Sequence, residues 1–166
     1  KDKILIFEDT TGDGVFDTST TFIEGLNLVS GLEVGFGGVF VGAAPYLMFI
    51  ADKDGDDKPD ADPEILLDGW GYQDTHETLN AFNWGPDGWL YGCHGVFTHS
   101  KVGKPGTPED QRQPINAGVW RYHPEKRTFE VFAWGSSNPW GVDFDDYGQA
   151  FITACVIPHL YHVIQG

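Results

Sequence analysis

Lysine and arginine are scarce in this chain. There are 10 of them against 25 aspartates and glutamates, a formal net charge of −15 over 166 residues. A nucleic-acid partner needs a basic face, so the acid excess excludes that class. An anionic membrane surface is excluded on the same ground. Cysteine is almost lacking, and the two present, Cys93 and Cys155, match no metal-binding spacing. Long apolar runs are missing. The longest, Gly37 to Ala51, is 15 residues and contains Pro45, whereas a membrane span needs about 20. No signal peptide or lipidation motif is visible. Helical periodicity is missing over any long window. What is abundant is glycine, at 22 residues, and aromatic side chains, at 14%. That is a composition of turns and packed strands.

The chain repeats itself. FEDTTGDGVFD from Phe7 aligns with IADKDGDDKPD from Ile50, placing Asp9 on Asp52, Gly12 on Gly55, Asp13 on Asp56 and Asp17 on Asp60 at an offset of 43 residues. NWGPDGWLYG from Asn83 echoes DFDDYGQAFIT from Asp143, each a strand, an acidic-Gly turn and a second strand. Short strands at a period of about 40 to 50 residues predict propeller blades. The expected fold class is all-β: a partial β-propeller of about three four-stranded antiparallel blades out of six. The layout is a half blade over 1–25, a blade over 28–68, a blade over 78–133 with an insertion at 95–117, and a partial blade over 140–166. About three blades cannot close a ring, and the chain begins and stops in strand-like text. The expectation is therefore a fragment of something longer. The polar insertion is long for a compact domain, which points to function or to a tolerated surface loop.

Two acidic loops offer oxygens for a hard cation: Asp9, Thr11, Asp13 and Asp17 in the first, Asp52, Asp54, Asp56 and Asp60 in the second. Oxygens at positions 1, 3 and 5 of a tight Gly turn can converge on calcium, which accepts six to eight of them at flexible geometry. Neither loop is an EF-hand, because both lie between strands. From Asp52 to Glu64 there are seven acids and two lysines, a repulsion that a cation would relieve. A solvated Asp/Gly turn is the plainer alternative. In the blade layout these loops face away from the loops that carry histidine.

Those other loops hold the candidate chemistry. GWGYQDTHET contains Asp74, His76 and Glu77, and WGSSNPW contains Ser137, Asn138 and Trp140. The insertion opens with Cys93, His94 and His99, and TACVIPHL contains Cys155 and His159. A neutral His76 can take a proton from an alcohol or hemiacetal, with Asp74 orienting the ring. His94, His99 and His159 read more simply as packing residues of their loops. Cys93 and Cys155 each follow an equivalent strand, so a disulfide and two buried thiols are both open.

At these residues a resemblance emerges. THETLNAFNWGPDGWLYG followed by GSSNPWGVDFDDYGQAFIT is similar to the glucose/sorbosone dehydrogenase propellers. Those are six-bladed quinoproteins that use pyrroloquinoline quinone and calcium. GGVFVGAAPYLMFIADKDGDDKPD, GYQDTHETLNAFNWGPDGWLYG and ACVIPHLYHVIQG together resemble the propeller of bacterial membrane-bound dehydrogenase proteins, across essentially the whole chain. The resemblance implies a quinone-dependent oxidation of a sugar or alcohol. It puts His76 in the place of the base, Asp74 near the place of an assisting acid, and Asn138 in a cofactor contact. Ser137 stands where that family has an arginine, and Trp140, in place of a glutamine, offers a face for a flat cofactor. The electron acceptor implied is a cytochrome c domain or a membrane quinone. The location implied is periplasmic, or membrane-associated through regions outside this chain. The alternative is a calcium-stabilised propeller that binds glycan or protein without catalysis.

Overall fold

The computed structural model describes residues 1–166. It is all-β, without an α-helix, and its antiparallel sheets follow one another along the chain with no sheet closed on itself. β1 (Asp2–Glu8) and β2 (Thr18–Leu26) form a two-stranded ribbon. β3 (Val29–Val34), β4 (Gly38–Ala43), β5 (Tyr46–Ala51) and β6 (Glu64–Asp68) form a four-stranded meander. β7 (Asn80–Trp84) and β8 (Leu90–His94) start the next sheet. Between them and its outer strands lie β9 (Ser100–Val102) and β10 (Gln113–Ile115), a two-stranded ribbon that also bridges to the end of β6 through Gly103 and Asp68. β11 (Gly118–His123) and β12 (Thr128–Trp134) complete that sheet in the order β12-β11-β8-β7. β13 (Asn138–Phe144), β14 (Ala150–Cys155) and β15 (Leu160–Val163) form the last.

Alternation along the strands explains why the sheets stack face to face. On β4, Val39, Val41 and Ala43 join Ile4, Ile6, Phe22 and Ile23 of the first ribbon. Phe40, on the opposite face of β4, joins Leu47, Leu66, Phe82 and Trp120 in a second core. On β8, Leu90 belongs to that second core, while Tyr91 and Cys93 belong to a third with Val142, Ala150 and Ile152. β4 and β8 are thus buried on both sides, and a fully buried side chain such as Leu47 contributes about 2 kcal/mol. Two glycines permit the closest sheet contact. A Cβ at Gly31 or Gly42 would fall 2.4 or 2.6 Å from the Phe82 ring.

The two repeated hairpins have matching turns. Gly88 donates to the Gly85 carbonyl at 3.0 Å and Gly148 to the Asp145 carbonyl at 2.9 Å, both glycines at positive φ. The strand registers also fix which loops share an end. Tyr46 pairs with Asp68 and Phe49 with Glu64. The acidic loop between β5 and β6 therefore lies at one end of the sheet, and the loop leaving β6 starts at the other.

Four details differ from the sequence reading. The 95–117 insertion is not simply a polar loop: it holds β9, β10 and a 3-10 turn at Glu109–Gln111, and it buries Val102 and Ile115 in the second core. Strands of three residues are too short to show a period. β8 runs through His94, because LYGCH is buried on both faces and shows no alternation. β13 begins at Asn138, inside what reads as a turn. Both cysteines are free thiols, Cys93 buried in β8 and Cys155 exposed at the end of β14.

Candidate functional site

The loop from Gly69 to Leu79 has little regular structure of its own, and it is held by the insertion. The Gly71 N–H donates to Ser100 Oγ at 2.7 Å. The Asp74 N–H donates to Thr98 Oγ1 at 3.1 Å, and the same hydroxyl donates back to the Asp74 carbonyl at 2.9 Å. The Gly95 N–H reaches the Glu77 carbonyl, and the Phe97 N–H reaches Glu77 Oε2, both at 2.8 Å. Glu77, Thr98 and Ser100 are buried. None of the three carries a sequence signal beyond its loop position; only the partner loop buries them.

Beneath this clamp lies His94, fully buried with Trp70 stacked on it at 5.6 Å. Its Nδ1 is 3.0 Å from the Gly95 carbonyl, an acceptor only, so Nδ1 carries the proton. Nε2 then accepts from Ser100 Oγ at 2.7 Å. Burial pushes the His94 imidazole down to about 4. It is a neutral structural link, not a base open to substrate.

His76 stands above the clamp, its side chain 90% exposed. Its Nδ1 lies 3.0 Å from Asp74 Oδ1, and its backbone N–H donates to the same oxygen at 3.0 Å. Those two bonds, the backbone one foremost, hold the Asp74 carboxyl below the usual carboxylate range. A carboxylate that accepts from Nδ1–H leaves the Nε2 lone pair free, and Nε2 has no hydrogen-bond partner. The arrangement can accept a proton from a hydroxyl placed against Nε2.

Asn138 and Trp140 lie on another sheet. Asn138 is half-buried, and its Oδ1 is enclosed without a partner. Trp140 sits where the register between Pro139 and Gly141 skips a residue, 44% exposed. No hydrogen bond links either residue to the His76 loop. The three arginines are all engaged by carboxylates. Arg112 bonds Asp68, Arg121 bonds Asp87 and Glu130, and Arg127 bonds Glu64.

The acidic loops superpose contact for contact. The Asp17 N–H reaches the Glu8 carbonyl and the Asp60 N–H the Ala51 carbonyl. Gly12 donates to Asp9 Oδ1 as Gly55 does to Asp52 Oδ1, at 2.7 and 3.0 Å. Thr10 donates to Asp17 as Lys53 does to Asp60. Asp57 adopts a positive φ where Gly14 does. They differ in what is left over. In the first loop both Asp9 oxygens are taken by N–H groups, that of Gly14 being the main reason its carboxyl titrates low; Thr11 also bonds Asp9, and Asp13 caps the Val15 N–H. In the second, oxygens of Asp52, Asp54 and Asp60 lie within 4.8 Å of one another. Asp56 turns away to Lys58 at 3.0 Å.

A scan of family models matches residues 1–165 to DUF7133, a domain of unknown function. The chain belongs to that family. A search of curated proteins and a search of solved structures each give no match. In this DUF7133 domain no helix is long and apolar enough to cross a membrane. The remaining histidines of the DUF7133 loops, His99 and His159, are exposed, and the His99 carbonyl accepts from Gln73 Nε2 at 3.4 Å, beside Asp74.

Proposed function

We propose that this DUF7133 domain is a run of β-propeller blades whose histidine-bearing rim serves the oxidation of a sugar or alcohol. His76 takes the hydroxyl proton and Asp74 fixes its tautomer. The observation that carries this reading is the exposed His76 ring, anchored at Nδ1 with Nε2 open. Face-to-face meanders in chain order, with equivalent hairpins and equivalent acidic loops, support the blade reading. The second acidic loop is proposed as a structural calcium site, since Asp52, Asp54 and Asp60 bring together the oxygens a hard cation uses. An extracytoplasmic setting belongs to the same proposal, as does a two-electron acceptor of the quinone class that would take the hydride from the carbinol carbon and pass its electrons to a cytochrome or membrane quinone.

The fit to pyrroloquinoline quinone is incomplete. Asn138 offers an unpartnered amide oxygen and Trp140 an open ring face, which suit a flat heterocycle. The cofactor's carboxylates need cations, and every arginine here is already paired. These residues alone do not fit the cofactor. That same observation favours a second reading, a glycan-binding propeller without catalysis. Reconstitution of the full-length protein with pyrroloquinoline quinone and calcium, followed by dye-linked oxidation of sugars and alcohols, separates the two. Turnover that His76→Ala abolishes supports the enzyme; no turnover with any substrate supports the binding module.

A further inference from the structure

We propose a second site, for a neutral carbohydrate, centred on Trp134. It stands independently of the reading of His76 as a base. Trp134 ends β12 and is 53% exposed. Its cross-strand partner is Gly118, which has no side chain to cover the indole. Trp134 forms a wall of two grooves. One, of about 470 Å³, also holds Ser136, Tyr161 and His162. The other, of about 490 Å³, is walled by the insertion and holds His99 and Asn116. The indole face toward the second groove, whose walls are β12 and the insertion, is a platform with room for a sugar ring.

The polar groups point to the same class of ligand. Ser136 Oγ is enclosed and has no hydrogen-bond partner. Its backbone is held at φ +75, an unfavourable conformation for serine that tends to accompany binding sites. The Gly135 N–H, bonded to the Ala117 carbonyl at 3.0 Å, anchors the turn that presents it. A buried hydroxyl left unpaired is costly unless a ligand supplies the partner. Neither groove contains an aspartate or glutamate, although the chain has 25 of them. The one lysine between the grooves, Lys101, is paired with Glu109 at 2.6 Å. A surface cleared of net charge, offering an aromatic face, hydroxyls, an amide and imidazoles, matches a neutral polyhydroxylated chain. It does not match an anion or a cation.

The test is calorimetric titration of the full-length protein with cellohexaose, xylohexaose and maltohexaose. At least one is expected to bind with Kd at or below about 1 mM. Trp134→Ala should weaken that binding about tenfold or more while Trp134→Tyr largely keeps it, and Ser136→Ala should weaken it about threefold. His76→Ala should leave the affinity unchanged, which separates this site from the proposed base. No binding of any of the three overturns the proposal. So does wild-type affinity in Trp134→Ala, or in Ser136→Ala, at an unchanged melting temperature.

Discussion

Replacing Thr98 by valine tests whether the insertion holds the loop that carries Asp74 and His76. The side chains have nearly the same shape, and Thr98 is fully buried, so packing changes little. What is lost is the hydroxyl that accepts from the Asp74 N–H and donates to the Asp74 carbonyl. The carbonyl keeps a second donor, the Glu77 N–H at 3.1 Å. The N–H keeps none. One part-buried donor left unpaired costs about 1–3 kcal/mol. For a chain of this size about 2 kcal/mol lowers the melting temperature by roughly 4–8 °C. Hydrogen exchange of the Asp74 amide should speed up in step, because its only acceptor is gone. Thr98→Ser keeps the hydroxyl and should retain protection of that amide, although the lost methyl costs about 1 kcal/mol. A Thr98→Val protein that melts within about 1 °C of wild type, with Asp74 still protected, would refute the clamp.

Other expectations follow from the same contacts. His94 titrates near 4 when folded, against 6.5 as its ordinary value, so the unfolded chain binds the extra proton first as pH falls. Its contribution is complete above about 6.5 and is lost on the way down to about 4, on the order of 3 kcal/mol in all; urea unfolding at stepped pH should show this slope, and His94→Gln should remove it. Gly92→Ala places a Cβ 2.2 Å from the Trp120 ring and should cost about 1–3 kcal/mol by overpacking, measured by denaturant midpoint. If calcium occupies the second acidic loop, adding it raises the melting temperature; Asp54→Ala should abolish that rise and Asp56→Ala, whose carboxylate already faces Lys58, should keep it. In thiol titration Cys155 should react in the native protein, while Cys93, pushed up to about 12 by burial, should react only on unfolding.

Much of the strand layout was legible because turn chemistry and alternation agree. Acidic turns ending in Gly88 and Gly148 close the two hairpins, and YLMFIA lies between a Pro-containing turn and an acidic loop. The pairing of Asp74 with His76 was legible because only Thr75 separates them in one loop. The clamp was not. Thr98, Ser100 and Glu77 are polar residues in segments that read as solvent-exposed, and they become structural only where one loop lies on the other. Nor was Asp56 separable from its neighbours: its turn toward Lys58 depends on the positive φ at Asp57 between them. Strand segments such as SKV and QPI are below the length at which alternation can be recognised.

The most direct test is the pH-controlled rate of dye-linked sugar or alcohol oxidation by full-length protein carrying Asp74→Asn. Asparagine keeps the shape and removes the charge that selects the Nδ1–H tautomer of His76. The account predicts a fall in kcat/KM of about a hundredfold or more; a rate within about threefold of wild type would contradict it.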